Sequence, residues 1–126
     1  MNGNKVLVDT NIIIYTLGGS MELADRVKGS TLFVSVITEI EALGYPGLSE
    51  EGREQVHAYI SRCTIISLED RVKQEAIRLR SQYRLKLPDA IIAATGIAFD
   101  IPLLTGDQAF EKVAKELAID LFQIRK

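Results

Sequence analysis

Short apolar runs and longer amphipathic stretches alternate along this chain. The apolar runs are four or five residues long and rich in β-branched side chains, which is typical of strands buried on both faces. They lie at residues 5–9, 31–35, 64–67, 102–105 and 120–124. The pattern therefore predicts about five short strands, with a helical stretch between each strand and the next.

The stretches between the strands carry apolar residues at helical spacing. In one of them, intervals of three or four residues separate Val72, Ala76, Leu79 and Tyr83. Helices are predicted over residues 11–17, 21–28, 36–43, 49–63, 68–85, 89–99 and 107–117. Short apolar strands alternating with helices predict a parallel sheet covered on both faces, which is a three-layer α/β/α domain.

Length and composition fit one globular domain spanning residues 1–126. Apolar residues make up 47% of the chain and charged residues 25%, which argues against disorder. No apolar run approaches the roughly 20 residues that a membrane helix needs, and the first residues have no secretory signal pattern. We therefore expect a cytoplasmic protein without a membrane anchor. The formal net charge of −2 does not indicate a nucleic-acid binder.

The chain has one histidine, His57, and one cysteine, Cys63. A zinc site made of histidine and cysteine ligands is therefore excluded in practice. Any metal site must consist mostly of oxygen ligands, which favours Mg²⁺ or Mn²⁺. We interpret His57 as an ordinary helix residue and Cys63 as a small core residue.

Acidic residues follow several of the predicted strands. Asp9 ends the first strand, Glu39 and Glu41 follow the second, and Asp107 follows the fourth. Asp89 lies at the start of the buried helix predicted over 89–99. In an open parallel sheet, ligands bind beyond the carboxyl ends of the strands. Acids at separate strand–helix junctions are therefore candidates for one shared site.

Each of these acids also has a structural explanation. Asp9 and Asp107 could be helix N-caps, and Asp89 could be an acid of a first helical turn, where a carboxylate stabilises the helix. Periodicity does not choose between Glu39 and Glu41, because both lie about 100° from the centre of the apolar stripe formed by Ile37, Ile40 and Leu43.

Convergence of four carboxylates would favour a metal site over the capping explanation. Four charges about 6 Å apart repel one another by a total on the order of 15 kcal/mol at an effective dielectric near 20. That repulsion is comparable with the stability of a whole domain, about 5–15 kcal/mol. Such a cluster must protonate, stay hydrated or hold cations.

Four segments of the chain, taken together, resemble the motifs of the PIN domain, and more narrowly of the small ribonucleases of VapC-type toxin–antitoxin pairs. VLVDTNIIIY resembles the opening strand with its first acid, SVITEIEALG the second motif, LPDAIIAATG the third and LLTGDQAF the fourth. In the second motif the acid falls three places after a threonine, so Thr38 points to Glu41, with Glu39 an accessory at most. The ordered set covers nearly the whole chain.

The resemblance implies a metal-dependent endoribonuclease that hydrolyses RNA phosphodiester bonds. Its implied catalytic and metal-binding residues are Asp9, Glu41, Asp89 and Asp107, which would hold one or two Mg²⁺ or Mn²⁺ ions. The resemblance further implies a homodimer and a cognate antitoxin protein that blocks the active site.

Other polar residues are candidates for supporting roles. Thr10, Asn11 and Thr105 would orient carboxylates or waters, although local turn and cap hydrogen bonds explain them equally well. Basic residues are concentrated just ahead of Asp89, and of these Arg84 and Lys86 are the candidates for RNA binding. The alternative for this basic run is a solvated helix face.

Two other functions are compatible with the same residues. A phosphatase could use Asp9 as a covalent nucleophile, but enzymes of the haloacid-dehalogenase type want a second aspartate where this chain has Asn11. A non-catalytic interaction module would use the acids only as helix caps. A PIN-like nuclease without a toxin role is a further alternative.

Overall fold

The structure, a computed structural model, describes residues 4–123 of the chain. Within that range, five strands and the helices between them follow the order that the sequence predicts. The strands are β1 (Lys5–Val8), β2 (Thr31–Ser35), β3 (Thr64–Ile66), β4 (Leu103–Thr105) and β5 (Ile119–Leu121). The helices are α1 (Thr10–Leu17), α2 (Met21–Arg26), α3 (Val36–Leu43), α4 (Glu50–Ser61), α5 (Asp70–Gln82), α6 (Leu87–Phe99) and a 3₁₀ helix (Gln108–Val113).

The strands form one parallel sheet in the order β3-β2-β1-β4-β5. Leu7 of β1 pairs with Phe33 of β2 on one side and with Leu103 of β4 on the other. The chain thus runs outward from β1 to β3 and then returns to the opposite side of β1 for β4 and β5. This reversal of strand order lies between β1 and β4, and their carboxyl ends are where a ligand crevice is expected.

Helices cover both faces of the sheet, which confirms the three-layer α/β/α prediction. On one face, Val8 belongs to a core cluster that includes residues of α1, α2, α3 and α4. On the other face, Leu7 belongs to a cluster that includes residues of α5, α6 and the 3₁₀ helix. Because both faces are buried, each strand needs a continuous apolar run rather than an alternating one. Among the described residues, no helix combines the length and the hydropathy needed to cross a membrane.

The helix predicted over 68–85 ends earlier, at Gln82. Tyr83 has an extended backbone with φ −128°, and its phenol donates a 2.6 Å hydrogen bond to Oε2 of Glu116. Arg78 also binds this carboxylate, and these two partners lower the pKa of Glu116 below its ordinary value. The hydrogen bond of Tyr83 to Glu116 fixes the connection between α5 and α6. After this connection, α6 runs back along α5 and packs against it.

The predicted closing helix over 107–117 is instead a short 3₁₀ helix, Gln108–Val113. Phe110 and Val113 are both fully buried, and a separation of three residues places them on the same side of a 3₁₀ helix. The chain then turns at once, because Ala118 must accept the backbone hydrogen bond of Leu103 beside β4. A longer α-helix would not leave room for this return to the sheet.

Helix α3 forms where it is predicted, but its buried face is not the predicted stripe. Ile40 is 60% exposed, whereas Thr38 and Ala42 are buried. Ile37 and Leu43 are partly buried and pack against the two core clusters, so the large apolar side chains flank the buried face and do not form its centre. Small side chains on the buried face allow α3 to pack closely against its neighbours, and hydropathy underestimates such a face.

Close packing behind the sheet edge depends on Gly96 of α6. A Cβ at this position would lie 2.9 Å from the carbonyl oxygen of Ile101 and 2.9 Å from Cδ1 of Leu117. We expect Gly96→Ala to lower the free energy of unfolding by about 1–3 kcal/mol, even though alanine favours a helix. Urea denaturation followed by circular dichroism measures this change.

The matched control is Gly52→Ala in α4. The atoms nearest to a Cβ there belong to the side chains of Leu48 and Ser49, which can shift, so we expect a stability close to that of the unmodified protein. Equal stabilities of the two variants would contradict the proposed packing constraint at Gly96.

Candidate active site

A cleft of about 600 Å³ opens beside the carboxyl ends of β1 and β4. Separate elements bring acids to it: Asp9 follows β1, Glu41 lies on α3, Asp89 lies in the first turn of α6, and Asp107 follows β4. The structure therefore places these sequence-predicted site residues around one cavity. The parallel sheet is what makes this possible, because its strands all end at the same edge.

Asp9 is the most deeply placed of these acids, with only 6% of its surface exposed. Its Oδ1 accepts the backbone N–H of Thr10 at 2.7 Å, at the N-cap of α1. Its Oδ2 accepts the hydroxyl of Thr105 at 2.6 Å and the side-chain amide of Asn11 at 3.3 Å. Asp9 is thus both a helix cap and the centre of a hydrogen-bond network that joins β1 to β4.

Burial raises the pKa of Asp9, and these hydrogen bonds from Thr105 and Thr10 oppose the rise. The neighbouring carboxylates of Asp107 and Glu41 raise the pKa of Asp9 further. The network therefore stabilises a negative charge that its surroundings otherwise disfavour.

The buried hydroxyl of Thr105 links two of the acids. It donates to Asp9 and accepts the backbone N–H of Asp107 at 3.0 Å. Oδ1 of Asp107 in turn accepts the backbone N–H of Ala109 at 2.9 Å and caps the 3₁₀ helix. One hydroxyl group therefore fixes the end of β4 relative to both carboxylates.

The first turn of α1 holds two further parts of the site in place. The hydroxyl of Thr10 donates to Oε1 of Glu41 at 3.1 Å. The side-chain oxygen of Asn11 accepts the backbone N–H of Gly106 at 3.0 Å, which ties α1 to the loop after β4. The polar side chains next to Asp9 thus connect it to α3 and to the segment that carries Asp107.

Asp89 experiences the electrostatic field of the whole cluster. Burial, followed by the charges of Asp107, Asp9 and Glu41, raises the pKa of Asp89 to about 6, while Lys86 acts in the opposite direction. Burial is the largest cause of this shift, and the three carboxylates that add to it lie within electrostatic reach of Asp89.

Helix α3 distinguishes Glu41 from Glu39, which periodicity could not do. Glu41 lines the cleft and accepts the hydroxyl of Thr10, whereas Glu39 is not part of the cleft lining. The buried Thr38 and Ala42 lie between the two glutamates around the helix. At about 100° per residue, Glu39 and Glu41 therefore lie on opposite flanks of α3. Only the flank of Glu41 faces α1.

The donor set of the cleft fits a hard divalent cation. Within residues 4–123, no three His, Cys, Asp or Glu side chains are already arranged to hold a metal ion. The acids instead surround the cleft at a wider spacing, and every donor is an oxygen atom. This chemistry suits an ion such as Mg²⁺, which keeps several of its own waters and takes few direct protein ligands.

The two basic candidates lie outside the lining of the cleft. Lys86 occupies the N-cap position of α6, three residues before Asp89, and its charge lowers the pKa of that acid. Arg84 is not among the groups that shift the pKa of Asp89, and its carbonyl oxygen accepts a 2.6 Å hydrogen bond from Nζ of Lys112. Of the two, Lys86 is the better placed to meet a ligand of the cleft.

Sequence reasoning missed the apolar part of the cleft. Side chains that line it beside the acids are Ile14, Tyr15, Ala42, Tyr45 and Leu48. A signal for two of them was available, since Ile14 and Tyr15 lie one helical turn after Thr10 and Asn11. The cleft is therefore acidic at the sheet edge and apolar along its side.

Comparisons with known proteins agree with this fold. A family model described as PIN domain matches residues 6–116. A chain of VapBC2 from Rickettsia felis, in complex with a DNA fragment of its promoter, superposes with a TM-score of 0.83 at 19% identity, covering 94% of this chain and 99% of that one. A chain of a toxin–antitoxin complex from Klebsiella pneumoniae gives 0.80 at 26% identity, with the same coverage. No curated protein sequence matches significantly.

The raised pKa of Asp89, which burial and then the neighbouring acids cause, makes a prediction about stability. In EDTA at pH 8, we expect Asp89→Asn to raise the free energy of unfolding by about 1 kcal/mol, allowing for solvent screening of this partly exposed group. The pKa of Asp89 in the folded protein is about 6, above its ordinary value of 3.8. Ionisation of Asp89 therefore destabilises the folded state. This destabilisation is complete above about pH 6 and absent below about pH 4.

Urea denaturation at pH 8 and at pH 4 tests this prediction. The gain from Asp89→Asn should be present at the higher pH and absent at the lower one. Asp25→Asn, at an exposed position on α2, is the control and should change little at either pH. A loss of stability in Asp89→Asn at pH 8 would contradict the repulsive cluster.

Proposed function

The chain belongs to the PIN domain family, and on this premise we propose that it is a metal-dependent endoribonuclease of the VapC toxin type. The family consists of hydrolases of the nuclease type. The observation that carries the proposal is the convergence of Asp9, Glu41, Asp89 and Asp107 on one cleft. A contribution to protein stability does not explain such a cluster, because neighbouring carboxylates raise the pKa of Asp9 and of Asp89 and so make their ionisation less favourable.

The proposed ligands for one or two Mg²⁺ or Mn²⁺ ions are these four carboxylates, directly or through waters. A bound ion of this kind lowers the pKa of a water molecule and neutralises charge on the phosphate of the substrate. The protein's own contribution is orientation: Thr105 fixes Asp9, and Thr10 fixes Glu41. Asn11 holds the loop that precedes Asp107.

We further propose that the chain forms a single PIN domain, acts in the cytoplasm on RNA and is inhibited by a cognate antitoxin. The similarity to chains of toxin–antitoxin complexes supports an antitoxin partner. Lys86, and with less structural support Arg84, would contact substrate phosphates at the rim of the cleft.

The alternatives have less support from the same atoms. A phosphatase of the haloacid-dehalogenase type wants a second aspartate two residues after the nucleophile, but this chain has Asn11 there, and its side chain binds the backbone N–H of Gly106 instead. A pure interaction module would use the acids as caps. Asp9 and Asp107 do cap helices, but this role does not explain why Glu41, late in α3, faces the cleft.

RNA cleavage in the presence of Mn²⁺ tests the ribonuclease proposal. We expect Asp9→Asn, Glu41→Gln and Asp89→Asn each to lower the rate by at least about 100-fold, since loss of even an outer partner of a metal ligand typically costs 10–100-fold. EDTA should abolish cleavage. The assay compares total RNA incubated with each protein by gel electrophoresis.

The matched control is Glu39→Gln, which changes the other glutamate of α3 outside the cleft and should leave the rate within about twofold of the unmodified protein. Circular dichroism establishes that each variant is folded. Cleavage that persists in EDTA, or full activity in the variants of the cleft acids, would reject the proposal.

We also propose that the chain forms a homodimer through an apolar depression between α5 and α6. The exposed apolar side chains there are Leu68, Ile77 and Leu87, and exposed apolar patches of this kind commonly mark interfaces. We expect Ile77→Lys to shift the protein from dimer to monomer in light scattering after size exclusion. Met21→Lys, at an exposed apolar position on α2, should remain dimeric. A monomeric unmodified protein, or a dimeric Ile77→Lys, would contradict this interface.

A further inference from the structure

A depression of about 610 Å³ lies at the edge of the sheet opposite the acidic cleft. Its lining includes Thr31, with which β2 begins, Leu17, with which α1 ends, and Arg62, which follows the last residue of α4. None of the residues that line it also lines the cleft. The volume is in the range of small-molecule sites, and the proposed ribonuclease function does not account for it.

The inner surface of this depression is apolar and is held in place by the core. Leu17, Val27 and Leu32 line it, and all three are partly buried side chains that pack against the core cluster on this face of the sheet. Tyr59, which also lines it, is only 6% exposed. The apolar surface is therefore formed before any ligand binds, and burial of an apolar group against it is favourable.

Arg62 is the only charged residue among the described residues that line the depression. Its guanidinium carbon lies 6.0 Å from the centroid of the Tyr59 ring, a distance at which a cation and an aromatic ring attract each other. In the described part of the chain no acidic side chain is within ion-pair distance of Arg62, whereas Arg26, Arg71 and Arg78 each form an ion pair. The charge beside the apolar surface thus has no anionic partner from this part of the protein.

The position of Arg62 at the end of α4 gives its charge one role within the protein. A cation there interacts favourably with the carbonyl end of the helix. That role needs only a positive charge, and a side chain extended into solvent would serve it equally well. It does not explain why the guanidinium of Arg62 lies over the buried ring of Tyr59 beside an apolar depression.

We propose that this depression binds a small carboxylate with an apolar body, such as a medium-chain fatty acid. The carboxylate accepts hydrogen bonds from the guanidinium of Arg62, whose planar fork matches a carboxylate. The apolar body packs against Leu17, Val27 and Leu32. A single cation in the lining favours a ligand with one negative charge over a polyanion such as a nucleic acid.

Calorimetric titration of the whole chain with octanoate tests the inference. We expect saturable binding, and Arg62→Gln should weaken it by at least about 10-fold, because a hydrogen bond to a charged group is lost. 1-Octanol has the same apolar body without the charge. It should bind more weakly than octanoate to the unmodified protein, and Arg62→Gln should change its affinity by less than about twofold.

A second substitution blocks the depression from another side. Ala24 of α2 lines it and is exposed, so Ala24→Glu should leave the fold intact while it places a negative charge where the ligand binds. We expect this variant to lose octanoate affinity as Arg62→Gln does. The matched control is Arg71→Gln, which removes an arginine that lies 3.9 Å from the centroid of the Phe99 ring, outside the depression. It should bind octanoate within about twofold of the unmodified protein, and circular dichroism establishes that each variant is folded.

Nuclear magnetic resonance identifies where octanoate binds. We expect the backbone amide signals of Leu17, Leu32 and Cys63 to shift on titration. Shifts confined to the acidic cleft or to the depression between α5 and α6 would overturn the inference, as would unchanged affinity in Arg62→Gln. Tighter binding of an acetylated peptide with a C-terminal leucine carboxylate would assign the depression to a protein partner instead. None of these measurements depends on RNA cleavage, so their outcome is independent of the ribonuclease proposal.

Discussion

The hydrogen bond between the hydroxyl of Thr105 and Oδ2 of Asp9 is the contact on which the arrangement of the cleft depends. It joins residues 96 positions apart, inside the protein, at the point where β1 and β4 end side by side. A buried carboxylate without such a partner would be costly. The hydrogen bond favours the charged form of Asp9 against the effect of burial, and the same hydroxyl group orients the backbone N–H of Asp107.

The topology of the sheet explains why this contact can exist. Since β4 returns to the side of β1 opposite β2, the loops after these neighbouring strands leave in different directions and open a crevice. The acids Asp9 and Asp107 come directly from the two strands. Two helices that begin at the same edge of the sheet, α3 and α6, add Glu41 and Asp89. The strands therefore supply the rigid part of the site, and the helices complete it.

Much of this arrangement could be predicted from the sequence, because strand-forming apolar runs and the acids that follow them are local features. The buried face of α3 could not, since Thr38 and Ala42 face the core while the larger Ile40 does not. The 3₁₀ geometry of Gln108–Val113 depends on the return to β5 and on the tether of Glu116 to Arg78, both of which are tertiary contacts. The choice between Glu39 and Glu41 also depends on a tertiary contact, because it is the hydroxyl of Thr10, on a different helix, that binds Glu41.

A cluster of carboxylates and an apolar surface in one cleft place opposite demands on a ligand. The acids repel an anionic ligand unless cations intervene, whereas burial of the apolar side chains by a ligand is favourable whether or not cations are present. Without a cation, electrostatic repulsion would thus keep an anionic ligand out of the cleft, and the apolar side chains could contribute to its binding only once cations neutralise the acids. In such a site the acids govern when an anionic ligand binds, and the apolar side contributes to how tightly it is held.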